Sequence, residues 1–225
     1  MNIARPRLVL FDFDGTLVDS QHSIVAAFEQ ACRAHGIEGV DPADIRRHIG
    51  LPLAKAVAAN LPQAHRARAG EVAETYKEKH RALALSADHD PLFPGAAEAV
   101  AALKAAGALL GIVTGKGRRG LTLTLEKRGL RGHFDVLRSA DDGPGKPDPF
   151  MVRSALDELG LARDAAVVVG DTTFDMRMAL NAGVTALGVA WGYHPEQELI
   201  AAGAAEVVPS FDALLAALKA RGFHS

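Results

Sequence analysis

The chemistry available to this chain starts at Phe11-Asp12-Phe13-Asp14-Gly15-Thr16, directly after the apolar run Leu8-Val9-Leu10. Alternate side chains of a strand point the same way, so Asp12 and Asp14 share one side while Phe11 and Phe13 anchor the other. Two carboxylates held together repel unless a cation or a proton offsets them. The pair therefore implies a bound metal or a split of roles between the two acids. Gly15 lets the backbone turn tightly, and Thr16 offers a hydroxyl to an anionic ligand.

Three further segments carry the same kind of signal. Gly111-Ile112-Val113-Thr114-Gly115-Lys116 ends an apolar run with a hydroxyl, a glycine and the free N–H groups of a helix start, which suits a phosphoryl oxygen. Lys146 lies between Gly145 and Pro147, whose backbone restrictions aim its ammonium, although a cation is disfavoured at the start of the helix that follows. Asp171 sits at the tip of the run Ala166 to Val169, and Asp175 falls one helical turn further along the same side. Acidic residues there could equally be helix caps. The stretch Gly115-Lys116-Gly117-Arg118-Arg119-Gly120, with Asp141 and Asp142 downstream, also fits a dinucleotide-binding pattern. That pattern is a weak signal on its own, and it follows the second strand of a sheet whose first strand already ends in a different site.

These segments need elements to position them. Short apolar runs alternate with longer amphipathic stretches, as in βαβ units around a parallel sheet. Strands are predicted at Leu8 to Phe11, Leu109 to Val113, Phe134 to Leu137, Ala166 to Val169, Ala186 to Val189 and Glu206 to Val208. The gap between the first two far exceeds the dozen or so residues that one crossover needs. It reads as an all-helical insertion: Ser20 to a Gly36 stop, a helix capped by Asp41 with Pro42 in its first turn, then Leu53 to Asn60 and Glu71 to Leu85. Asp90-Pro91-Leu92-Phe93-Pro94-Gly95 suits a hinge back to the sheet. The expected division is a core of residues 1–17 and 90–225 and a helical cap of residues 18–89.

Composition narrows the function. With 225 residues, 48% hydrophobic and 23% charged, the chain is an ordinary globular protein, and a formal charge of −2 offers no field for nucleic acid or an acidic membrane. The single cysteine, Cys32, shares a helical face with Ile24, Val25 and Phe28 and reads as a small buried apolar residue. The start, Met1 to Leu10, has Arg5 and Arg7 but an apolar run too short for a signal peptide or membrane span, so a cytoplasmic location is expected. A monomer or homodimer is expected.

The four segments, in this order and at predicted strand ends, resemble the four motifs of the haloacid dehalogenase superfamily of phosphatases. The resemblance implies an α/β fold with a Rossmann-like parallel sheet and the inserted helical cap. It also implies a magnesium-dependent phosphatase acting on a small phosphorylated metabolite. By this resemblance Asp12 is the nucleophile that forms an aspartyl phosphate, and Asp14 is the acid and base that protonates the leaving group and activates water. Thr114, Gly115 and Lys146 would hold the phosphoryl oxygens. Asp12, Asp171, Asp175 and the backbone carbonyl of Asp14 would hold Mg2+ with oxygen ligands only. Asp14 argues against the dehalogenase and phosphonate-cleaving branches, while a sugar-phosphate mutase and a catalytically idle phosphate-binding or partner protein remain alternatives. In Ile45-Arg46-Arg47-His48-Ile49-Gly50, Arg47 and His48 could meet an anionic substrate tail, and a solvated polar helix face is the plainer reading. Trp191-Gly192-Tyr193 resembles phosphoglycolate phosphatases and is expected to pack beside the site; phosphoglycolate leads among substrates.

Overall fold

The computed structural model of the chain describes residues 7–84 and 90–223. Its centre is a parallel sheet of six strands: β1 (Leu8–Phe11), β2 (Leu109–Val113), β3 (Val136–Arg138), β4 (Ala166–Gly170), β5 (Thr185–Val189) and β6 (Glu206–Val208), in the order β3-β2-β1-β4-β5-β6. The middle strands carry unbroken apolar runs because both of their faces are covered. Val9 and Phe11 pack under helices α5 (Ala96–Ala105), α6 (Arg118–Lys127) and α10 (Phe211–Ala220). Leu8 and Leu10 pack on the other side, under α7 (Phe150–Leu159), α8 (Thr173–Ala182) and α9 (Glu196–Ala201). The strand order reverses direction beside β1. Ligands of open α/β sheets bind in the crevice beyond the strand C-termini at such a point, which here lies between β1 and β4.

Among its described residues the insertion forms four α-helices, α1 (Gln21–Ala34), α2 (Pro42–Arg47), α3 (Leu53–Asn60) and α4 (Ala69–Ala84), with a 3-10 turn at Gln63–Arg68. They enclose a separate cluster that includes Phe28, Cys32, Ile45, Val57, Leu61 and Val72. Cys32 is buried among them, as its helical spacing predicts, and burial pushes its thiol up to about 11. The Asp41 carboxylate accepts from the Ala43 N–H at 2.7 Å, and Pro42 opens α2, so that cap forms as expected. The two connections to the sheet run side by side. Val18 and Leu92 form an antiparallel bridge, Asp19 N–H donates to the Pro91 carbonyl at 2.8 Å, and Phe93 N–H to the Leu17 carbonyl at 3.0 Å.

Five strands lie within a residue of their predicted bounds; β3 begins two residues late. Asp135, expected inside that strand, instead turns its carboxylate onto the Leu110 N–H at 2.9 Å and Lys104 Nζ at 2.7 Å. Helix α1 ends at Ala34, before the predicted Gly36 stop, and α4 starts at Ala69, ahead of Glu71. Leu85 and His89 at the predicted cap boundary, and Met1 to Pro6 with Arg5, lie outside the described residues. Among the described residues no helix is long and apolar enough to cross a membrane. Leu10 is fully buried and fills the space that Gly111 leaves open, since a Cβ at that glycine would lie 2.6 Å from Leu10 Cδ2. Leu10→Ala is therefore expected to cost about 2–5 kcal/mol of stability, measured by urea unfolding; a loss under about 1 kcal/mol would show that this layer can collapse to fill the gap.

Candidate active site

All four sequence segments reach the C-terminal edge of the sheet. Asp12 follows β1, Thr114 follows β2, Asp171 follows β4, and Lys146 lies in the loop before α7. Asp12, Asp171 and Asp175 are buried, and one carboxylate oxygen from each lies within 4.8 Å of the others. Lys146 is 0% exposed, and its Nζ stands 2.6 Å from Asp12 Oδ1 and 2.7 Å from Asp175 Oδ1. A lysine can be buried this completely only with its charge paired. Burial works against its ammonium, but Asp12 and Asp175 outweigh that and raise its pKa above the usual lysine range.

The surrounding backbone fixes these side chains. Asp175 closes a capping box at the start of α8: its Oδ2 accepts from Thr172 N–H at 3.0 Å and from Thr172 Oγ1 at 2.6 Å, leaving Oδ1 for Lys146. Asp175 thus caps the helix with one oxygen and meets Lys146 with the other. Asp171 Oδ1 accepts from the Thr16 hydroxyl at 2.8 Å, and Oδ2 from Tyr193 N–H at 2.9 Å. Gly192 makes the second bond reachable, because a Cβ there would sit 2.0 Å from Asp171 Cβ. The Trp191-Gly192-Tyr193 segment packs beside the site as expected and also supplies this donor; Trp191 Nε1 is tied to the Thr16 carbonyl at 3.0 Å. Thr16 serves Asp171 in this structure, where the sequence suggested an anionic ligand.

Asp12 and Asp14 take different ion-pair partners. The chain turns at Gly15, φ 90°, and Asp14 Oδ1 pairs instead with Lys116 Nζ at 3.0 Å. Each carboxylate has its own lysine. Burial raises the pKa of Asp14, but Lys116 overrides it and holds the carboxyl below its usual range. For Asp12, burial and the neighbouring Asp175 win over Lys146, and its carboxyl rises well above the ordinary value. Asp171 is pushed up to about 7 by burial and by Asp175. Three carboxylates sharing one lysine leave excess negative charge. The buried Asp12 Oδ2 also has no hydrogen-bond partner among the described residues. These hard oxygen donors fit Mg2+, which prefers carboxylate and carbonyl oxygen.

Thr114 is buried, and its Oγ1 accepts from Lys116 N–H at 3.1 Å. The cap loop Gly50-Leu51-Pro52 covers this region: a Cβ at Gly115 would lie 3.3 Å from the Gly50 and Leu51 carbonyl oxygens, and one at Gly145 would lie 2.9 Å from Pro52 Cγ. Arg47 and His48 are engaged away from the aspartates. Arg47 grips Glu198 with both terminal nitrogens, the shortest distance being 3.0 Å, and His48 Nδ1 lies 2.8 Å from Asn60 Oδ1. Together with Phe174, Arg177 and His194 they line a cavity of about 340 Å3. The dinucleotide pattern is occupied too, since Asp141 Oδ2 accepts from Arg118 N–H at 2.7 Å at the start of α6. Lys116 and Asp90 escaped the sequence reading. The signal available was Lys116 itself, enclosed in a glycine pattern that directed attention to the backbone. Lys146→Met would leave Asp12 and Asp175 buried without their cation and is expected to cost about 3–5 kcal/mol at neutral pH, read by denaturant unfolding; unchanged stability would show that protonation of the acids compensates fully.

Residues 9–189 match the family model of haloacid dehalogenase-like hydrolases. The protein named "Probable phosphatase IndB" of Dickeya dadantii is 37% identical over 215 residues, covering 95% of this chain and 94% of that protein. A phosphoglycolate phosphatase of Rhodospirillum rubrum is 32% identical over 218 residues, covering 93% and 89% respectively. A hydrolase structure from Pseudomonas syringae superposes with a TM-score of 0.82 at 27% identity, over 95% of this chain and 98% of that one. With the strand order, the helical insertion and the buried aspartates at the strand ends in agreement, the chain belongs to the haloacid dehalogenase-like hydrolases.

Proposed function

We propose that this phosphatase hydrolyses a small phosphorylated metabolite with Asp12 as nucleophile, a divalent cation as cofactor and phosphoglycolate as the leading substrate. The observation that carries the reading is the buried group of Asp12, Asp171 and Asp175 around Lys146, with Asp12 Oδ2 unpartnered among the described residues. The relatives named as phosphatases support the reaction class, and the phosphoglycolate phosphatase of R. rubrum supports the substrate.

Phosphoryl transfer asks the protein for in-line positioning and for charge to meet the phosphoryl oxygens. A carboxylate oxygen of Asp12 attacks phosphorus as the ester P–O bond breaks, and the departing oxygen takes a proton from the Asp14 carboxyl. Asp14 then takes a proton from the water whose oxygen attacks phosphorus, which releases inorganic phosphate and restores Asp12. Lys146, the Thr114 hydroxyl and the Gly115 N–H hold the remaining oxygens. Mg2+ held by Asp12, Asp171, Asp175 and the Asp14 carbonyl would neutralise charge as it develops on the phosphoryl group. Monoester hydrolysis requires the barrier to fall by more than about 20 kcal/mol, so these groups must act together. Residues 18–89 serve as the cap, and its loop over Gly115 and Gly145 favours a small substrate. Arg47 and His48 would meet an anionic tail only after exchanging Glu198 and Asn60.

Two measurements test this reading. Released orthophosphate is expected from phosphoglycolate with Mg2+ and not with a chelator, and Asp12→Asn should lower the rate by more than about 1,000-fold while the protein stays folded. Retained turnover in that variant would remove Asp12 from the nucleophile role, and transfer of phosphate to a hexose phosphate without orthophosphate release would make the enzyme a mutase. The second measurement uses Asp171. Below its ordinary value of 3.8 both folded and unfolded chains hold the proton; between that pH and about 7 only the folded state keeps it, so stability of the metal-free protein falls as pH rises across the window. A cation bound there favours the ionised form. The gain in Tm from added Mg2+ should therefore be larger near about pH 8 than near about pH 5, and equal gains would place the cation elsewhere.

A further inference from the structure

Lys116 is the second lysine of the site, and its surroundings give it one orientation. Its backbone is held on both sides: its N–H donates to Thr114 Oγ1 at 3.1 Å, and its carbonyl accepts from Ala140 N–H at 3.0 Å. The stem runs over Gly120, and Nζ lies 5.9 Å from the centre of the Phe13 ring. Two carboxylates meet the ammonium, Asp14 at 3.0 Å and Asp90 at 3.9 Å, and all three side chains are largely buried. Asp90 belongs to the hinge. Its φ of 57° makes it the one residue other than glycine with a left-handed backbone among the described residues, and its Oδ1 accepts from Ser23 Oγ of the cap helix α1. An L residue adopts that conformation at a cost, which aspartate tolerates better than most. A buried polar chain therefore runs from the cap, through Ser23, Asp90 and Lys116, to the Asp14 carboxylate.

We propose that Lys116 is the positioning residue for Asp14: with Asp90 behind it, the ammonium fixes the direction in which Asp14 presents its carboxyl to the leaving-group oxygen. The inference rests on the reading of Asp14 as proton donor. A carboxyl on a short side chain turns freely about its last bonds, and a displacement of about 1 Å between donor and acceptor can cost about 100-fold in rate. The 3.0 Å pair removes that freedom for one Asp14 oxygen. Lys146 cannot take over this task, because Asp12 and Asp175 already hold its ammonium.

The leaving group provides the test, since a poor one needs the proton and a good one does not. Because Asp14 also activates the water of the second step, the first step alone is read, as release of the alcohol or phenol in a single turnover with enzyme in excess, for Asp14→Asn and Lys116→Met with two esters. One is phosphoglycolate, replaced by glycerol phosphate if the unaltered enzyme turns that over faster; the other is 2,4-dinitrophenyl phosphate. Asp14→Asn should lose about 1,000-fold on the alkyl ester and under about 10-fold on the aryl ester. Lys116→Met should follow the same pattern at smaller amplitude, about 10- to 100-fold in the single-turnover rate on the alkyl ester with the half-saturating concentration nearly unchanged, and close to full rate on the aryl ester. Lys116→Gln, which keeps a donor without the charge, is the second variant should Met fail to fold, and the same pattern is expected of it. Equal losses on both esters for the Lys116 variants, with Asp14→Asn still selective, would overturn the positioning role and leave Asp14 as the donor. Equal losses for Asp14→Asn would overturn the donor reading and this inference with it.

Discussion

The site depends on one buried cation. Lys146 lies between Asp12 and Asp175 at ion-pair distance from both, shielded from solvent on every side. Removing a charge from water is costly, and the cost is offset only when the partners are close and well oriented. That requirement propagates outward. Asp175 keeps its orientation through the capping box of α8, Asp12 through the end of β1, and Lys146 through a loop that must approach both strand ends. The apolar runs of β1 and β4 serve the same end, since adjacent parallel strands set the two acidic positions side by side. With Asp171 added the group is over-supplied with negative charge. The raised carboxyls of Asp12 and Asp171 express this physically, and a site poised to accept a divalent ion is its chemical counterpart.

A second lysine separates the two acids of the first motif. Asp12 and Asp14 are two residues apart, yet their carboxyls shift in opposite directions, because burial and Asp175 dominate the first and Lys116 the second. The division is made by the two lysines, Lys146 2.6 Å from Asp12 and Lys116 3.0 Å from Asp14.

Much of this was legible in the residues. Apolar runs marked β1 and β2 to the residue, because a strand covered on both faces is apolar throughout. Asp12 and Asp171 stood out because polar side chains at the ends of such runs have little structural reason to be there. Asp175 stood out because it lies one helical turn beyond Asp171, and Lys146 because a cation between Gly145 and Pro147 opposes the helix start that follows. What stayed hidden were pairings across the chain. Lys116 and Asp14 are 102 positions apart, and Arg47 and Glu198 are 151 apart, so neither partner announces the other in a local pattern. That Asp12 and Asp14 would take different lysines was hidden for the same reason. The late start of β3 has the same origin, since the Asp135 carboxylate takes a backbone N–H from β2.

The bridge between Val18 and Leu92 has a consequence for how such a chain can diversify. Because the inserted helices leave and rejoin the sheet through neighbouring points, they hang from it as a cassette, with their own apolar interior in α1 to α4. Lengthening, shortening or exchanging that cassette leaves the pairing of β1 with β2 and β4 untouched. What ties the cassette to the reaction centre beyond these two connections is a small set of side-chain contacts, the Arg47–Glu198 pair and the Gly50-Leu51-Pro52 loop among them, so few positions need change together when the cassette does.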